Sequence, residues 1–214
     1  LALSLLPDAT ALVTLQYLFA FVCIQIGIRL CFIEKLSPPN STNLLFLTIM
    51  ALFFHLAIWS GSKVMLYGNV ETYLAFRSFV PLTVAIFEGV LGKKMVSMTQ
   101  AMSLFTAGLS GLGFVTQDEK FSKIAYMWGT TTLLAIVAET IWIKRIYERF
   151  LIGAWELSYY NNLLSFVISL TSIIGSKLMY WDTFKHRFAI ELSTTYAVLT
   201  SCCFSFGISV TNFF

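Results

Sequence analysis

Charge is scarce in this chain. Only 12% of its 214 residues are Asp, Glu, Lys or Arg, while 57% are hydrophobic and 16% aromatic. An ordinary soluble domain carries about 25% charged residues, so half that share excludes water as the solvent for most of the surface. A mean hydropathy of +0.79 points to lipid instead. The net charge of +3 is spread over links between apolar runs, so it bears on membrane topology rather than on nucleic acid. Cysteine motifs are missing too. Cys23, Cys31, Cys202 and Cys203 lie in or beside apolar runs, none in C-x-x-C spacing and none with a histidine partner. That is the pattern of small buried side chains, not of disulfides or metal ligands. The chain has no Gly-rich phosphate loop, no H-E-x-x-H, no supported Ser-His-Asp set and no water-facing carboxylate cluster. It therefore reads as a non-enzyme with no cofactor and no metal. No signal peptide is visible. Leu1 is not Met, and Phe214 falls inside an apolar run, so a fragment of a longer membrane protein, cut at both ends, is expected.

What the chain has in abundance is long apolar runs, and seven spans can be drawn. The first runs from about Ala9 to Phe32, and the prolines of the Glu34–Thr42 link stop it from continuing. The second, from about Asn43 to Tyr67, carries His55, Trp59 and Lys63; His55 is read as a helix-packing residue. A Gly68-Asn69 turn leads to the third, from about Val70 to Leu91. The fourth, from about Ser97 to Val115, contains Gly108, Gly111 and Gly113, small residues that permit close helix approach. The fifth runs from about Ile124 to Ile143, the sixth from Phe150 to Ile174, and the seventh from about Leu192 onward. The connection from Lys177 to Glu191 holds Trp181, Lys185, His186 and Arg187 and suits the membrane interface.

Loop charge orients these spans. Arg29, Lys35, Lys93, Lys94, Lys144, Arg145 and Arg149 surround the first, third and fifth links. In the other links Lys120, Lys123, Lys177, Lys185 and Arg187 are offset by Asp118, Glu119, Asp182 and Glu191. The more basic odd links belong in the cytosol. Asn40-Ser41-Thr42 fits the glycosylation acceptor pattern, yet on this orientation it faces the cytosol and is expected to stay bare. A glycan on Asn40, read as an endoglycosidase-sensitive mass shift, would overturn the topology.

Two spans carry polar residues that lipid does not tolerate without a reason. In the sixth, Trp155 to Ser165 reads W-E-L-S-Y-Y-N-N-L-L-S. Tyr159, Asn162 and Phe166 share one face, while Asn161, Ser165 and Ile168 share a neighbouring one. An Asn amide offers one acceptor and two donors in a plane, which suits a nucleobase edge, and a neighbouring Tyr offers a stacking face. The plainer alternative is interhelical hydrogen bonding. In the third span Tyr73, Arg77, Pro81 and Glu88 fall within about 80° of one another. Arg77 and Glu88 are separated by about 16 Å of helix rise, so each needs a partner elsewhere, such as Glu139 or Glu156. Arg77 suits either a packing ion pair or a phosphate group, and Pro81 predicts a kink.

These stretches also carry a resemblance. N-V-E-T-Y-L-A-F-R-S-F-V-P-L-T-V-A-I-F-E, then A-Y-M-W, I-W-I-K-R and Y-Y-N-N-L-L-S, resemble the Golgi GDP-sugar transporters of the drug/metabolite transporter superfamily. Tyr159-Tyr160-Asn161-Asn162 looks like that family's F-Y-N-N motif with Tyr at the first position. At Phe76-Arg77-Ser78 the chain looks closer to the GDP-fucose and GDP-galactose branch than to the fungal GDP-mannose branch, which usually reads F-K-N there.

The resemblance implies an all-α, ten-helix bundle of two inverted repeats, with the visible spans as helices two to eight. It implies exchange of a cytosolic GDP-sugar (GDP-fucose, GDP-galactose or GDP-mannose class) for luminal GMP across the Golgi membrane. Asn161 and Asn162 would then read guanine, with Tyr159, Tyr160 and Ser165 beside them. Tyr73 and Ser209 match pocket residues of the family, and Arg77 would help neutralise the diphosphate. The family's G-A-L-N-K motif would follow Phe214. The partners implied are GDP-sugar, GMP and the lipid bilayer, with no nucleic acid; a homodimer is compatible. Two alternatives stand beside this reading: a sister transporter for a UDP-sugar or a phosphate ester, and a non-transporting scaffold that keeps the fold.

Overall fold

The computed structural model describes residues 9–30, 41–90, 97–116, 122–150, 152–179 and 199–207. They form α1 (Ala9–Arg29), α2 (Ser41–Tyr67), α3 (Val70–Ser78), α4 (Val80–Val90), α5 (Met98–Thr116), α6 (Lys123–Phe150) and α7 (Ala154–Met179), followed by α8 (199–207). No strand occurs among the described residues. An all-helical solution follows from the solvent, because in hydrocarbon every backbone N–H and C=O must be bonded within its own segment. Mid-helix hydroxyls comply by bonding the preceding turn, as Thr14 does to the Thr10 carbonyl at 2.7 Å and Thr132 to that of Trp128 at 2.8 Å.

Five segments are long and apolar enough to cross a bilayer: Thr10–Arg29, Asn43–Tyr67, Val70–Val90, Lys123–Phe150 and Ala154–Gly175. They match the first, second, third, fifth and sixth predicted spans. The fourth is present as the 19-residue helix α5, which is not one of the five. Of the seventh only α8 is described; Asn40, Ser209 and most of the Lys177–Glu191 link lie outside the described residues. Cys23, Cys202 and Cys203 are free thiols; Cys202 is buried as expected, but Cys203 is exposed.

The third predicted span is broken rather than continuous. Phe79 separates α3 from α4, and its N–H bonds the Phe76 carbonyl at 3.2 Å in a tightened turn. Pro81 explains the break: it has no N–H to offer the Arg77 carbonyl four residues back, and its ring crowds that oxygen.

The chain forms two compact units, Leu1–His55 with Phe150–Phe214, and Leu56–Arg149. In the first, α1 packs along α7. Thr14 Oγ1 meets Ser169 Oγ at 2.5 Å, and Gln25 Nε2 donates to Tyr159 Oη at 2.7 Å. Low numbers on α1 pair with high numbers on α7, so the two helices run antiparallel, as a first and a sixth span must. Tyr17 packs on Phe54 at 5.6 Å and on His55 at 6.0 Å, so His55 packs between helices as expected, but its buried Nδ1 has no hydrogen-bond partner among the described residues. Leu15, Leu18, Val22 and Ile26 form an exposed apolar flank of α1, the side that lipid would cover.

In the second unit, small residues set the helix spacing. A Cβ at Gly108 would lie 3.2 Å from Leu82, and one at Gly111 would overlap Ser78, so α5 lies closely against α3 and α4. Gly113 does not share this role, since a Cβ there would meet nothing within 4 Å. Gly129 of α6 receives the ring of Phe76, which a Cβ would overlap. Trp59 and Trp128 meet edge to face at 5.0 Å, and the Thr132 and buried Ser60 hydroxyls are in hydrogen-bond contact at 2.9 Å. Gly129→Val is therefore expected to cost about 1–3 kcal/mol of stability by overpacking, read as a lowered unfolding midpoint in detergent. Gly113→Val should leave that midpoint nearly unchanged.

Candidate functional site

The polar stretch of the sixth span lies on the inner face of α7. Gly153 and the Leu157 N–H, bonded to the Gly153 carbonyl at 3.0 Å, set the helix start. Glu156 occupies the first turn, where a carboxylate favours the helix dipole; that is a structural role for a residue with no other assigned one. Ser158, Asn161, Ser165 and Ser169 are fully buried and Asn162 is 1% exposed. Their spacing of three and four residues makes one polar stripe. Both asparagines are buried although adjacent side chains diverge by about 100°, so the stripe is wide.

Not all of these groups are hydrogen-bonded. Asn162 Nδ2 donates to the Ser158 carbonyl at 2.8 Å, and Ser165 Oγ donates to the Ala51 carbonyl of α2 at 3.4 Å. Neither Oδ1 nor Nδ2 of Asn161 has a partner among the described residues, and neither does Ser158 Oγ. Roughly nine in ten buried polar groups are satisfied in folded proteins, and an unsatisfied one costs about 1–3 kcal/mol. Asn161 thus presents a complete, unused amide edge within the buried stripe of α7. Tyr159 is held against Phe21 (centroids 5.2 Å) and meets Tyr160 edge on at 5.1 Å.

The second unit holds Tyr73 and Arg77, four residues apart on α3. Arg77 Nη1 donates to Tyr73 Oη at 3.3 Å, and the Tyr73 ring lies 3.0 Å from where a Gly61 Cβ would be. Glu139 of α6, only 8% exposed, belongs to the same compact unit as Arg77. Glu88 instead forms an ion pair with Lys144 at the far end of the span. No group of three or more His, Cys, Asp and Glu capable of holding a metal occurs among the described residues.

Sequence reasoning missed the polar groups of α1. Thr14 and Gln25 lie eleven residues apart, close to three full turns, and both face α7. Gln16, about 200° around from Thr14, donates to Ser201 of α8 at 2.7 Å. The available signal was their polarity in a span otherwise free of amides.

These features define a multi-pass helical membrane protein with a buried, polar, hydrogen-bonding helix face. No known family model matches the chain. Among curated proteins, it is 34% identical over 120 residues to GDP-fucose transporter 1 of Arabidopsis thaliana, covering 56% of this chain and 35% of that protein. It is 31% identical to GDP-mannose transporter GONST3 of the same plant, across 99% of this chain and 58% of that protein. The chain spans about half the length of the curated relatives it matches. Both relatives are, by name, transporters of GDP-linked sugars, and the chain is similar to them.

Proposed function

We propose that the complete protein is an antiporter exchanging a cytosolic GDP-sugar for luminal GMP across the Golgi membrane. The described helices would be part of a ten-helix inverted-repeat bundle, as helices two to eight. The observation that carries the reading is Asn161, fully buried with both amide atoms unpartnered, in a chain whose relatives are GDP-sugar transporters. The planar amides of Asn161 and Asn162 match the donor and acceptor edge of guanine. Tyr159 and Tyr160 offer ring faces, and Ser165 and Ser209 add hydroxyls near the nucleotide. Arg77, braced by Tyr73, is the cation for the diphosphate.

Burial of the asparagines means that the base reaches them only after α7 is uncovered, which fits a cycle of repeat movements about a midplane site. The test is exchange by the complete protein in proteoliposomes. GMP is expected to compete with GDP-sugar uptake far better than UMP. Asn162→Ala is expected to raise the KM for GMP about three- to tenfold, the worth of one hydrogen bond. Equal competition by UMP would replace guanine selectivity with a sister transporter's specificity, and absence of any exchange would favour a scaffold.

A further inference from the structure

Gln25 lies on α1, outside every stretch that carries the nucleotide reading, yet it makes a direct side-chain bond to that region. Its Nε2 donates to Tyr159 Oη at 2.7 Å across the α1–α7 packing. Phe21, one turn earlier on α1, packs on the same ring at 5.2 Å with the planes tilted by 39°, and Tyr160 meets it edge on. The Tyr159 ring is thus fixed at its tip by a hydrogen bond and along its body by two aromatic contacts. One turn on, at i+3, is Asn162 on the same helix face. We propose that Gln25 is a positioning residue for nucleotide recognition: it sets the orientation of the Tyr159 ring beside Asn162 and so tunes affinity for the base. This rests on the guanine reading of α7.

The physical argument is one of paired polarity. A glutamine amide in a membrane span is stable only with a partner, and a tyrosine hydroxyl in the same place has the same need. Removing either one strands the other, which then turns to seek a new partner and takes the ring out of place. Removing both leaves an apolar contact in which Phe21 and Tyr160 hold the ring. The two positions must therefore be coupled rather than additive.

The test compares Gln25→Leu, Tyr159→Phe and the double variant in the complete protein. The readouts are the KM and maximal rate of GMP and UMP exchange in proteoliposomes, with unfolding midpoints recorded to identify misfolded variants. Gln25→Leu is expected to raise the KM for GMP about three- to tenfold, the worth of one hydrogen bond, with the maximal rate held within about twofold. Adding Tyr159→Phe should then lower that KM again rather than multiply the defect. Multiplicative KM effects, a KM unchanged by Gln25→Leu, or a loss confined to the maximal rate and the midpoint would each overturn the positioning role. Wild-type protein that treats GMP and UMP alike overturns the guanine assignment only, and the same comparison then judges Gln25 on whichever nucleotide is exchanged. Wild-type protein that exchanges no nucleotide overturns both.

Discussion

Asn161→Leu is expected to make the complete protein more stable and unable to recognise guanine. The two effects share one cause. Asn161 is fully buried, and neither of its amide atoms has a partner among the described residues, so in this conformation the amide is a net cost of about 1–3 kcal/mol. Leucine keeps the branched skeleton of the side chain without its polar atoms, so it removes that cost. Unfolding in detergent should therefore move to higher temperature. Exchange of GDP-sugar should fall about a hundredfold or more, because a site built to hydrogen-bond its ligand discriminates strongly once a partner is lost. A residue that serves packing would behave oppositely: its replacement would lower stability and leave the KM for GMP alone. Stability retained against function is the signature of a binding residue.

Arg77→Gln is the second substitution with a large expected effect. It removes the cation assigned to the diphosphate, and a charge-assisted hydrogen bond is worth about 1.5–3 kcal/mol, so exchange should fall about ten- to hundredfold. Arg77 is exposed and hydrogen-bonds Tyr73 Oη at 3.3 Å, so the loss of stability should be small, under about 1 kcal/mol. A large fall in the unfolding midpoint with exchange unchanged would make Arg77 a packing residue.

The parts of this molecule that were legible in the sequence are those dictated by solvent. Apolar length placed five crossing helices, because hydrocarbon tolerates no other way of satisfying the backbone. The inward position of Asn161, Asn162 and Ser165 followed from the same rule, since polar groups must leave the lipid face. Pro81 announced a defect in the third span. Its position did not follow, because a missing N–H is felt at the carbonyl four residues earlier, and the turn at Phe79 absorbs it.

What the sequence concealed depends on pairing between distant residues. Glu139 and Glu156 were both candidates for Arg77, and the fold puts only Glu139 in the same compact unit as Arg77. The helical wheel put Glu88 in line with Arg77, but the break at Phe79 falls between them and Glu88 finds Lys144. Gln25 drew no notice as a lone amide; its meaning came from Tyr159, 134 residues further along the chain. Gly108 and Gly113 look alike in sequence, yet only the first faces a neighbouring helix.

The most direct test of base recognition by α7 is a thermal-shift measurement on the complete protein and its Asn161→Leu variant, each with GMP and with UMP. A ligand present at 100 times its Kd stabilises the folded state by about 2.7 kcal/mol, well within reach of such an assay. The predicted result is a clear upward shift of the wild type with GMP, little or none with UMP, and a variant that starts higher and responds to neither. Equal shifts with the two nucleotides, or a GMP shift that survives Asn161→Leu, would contradict the account.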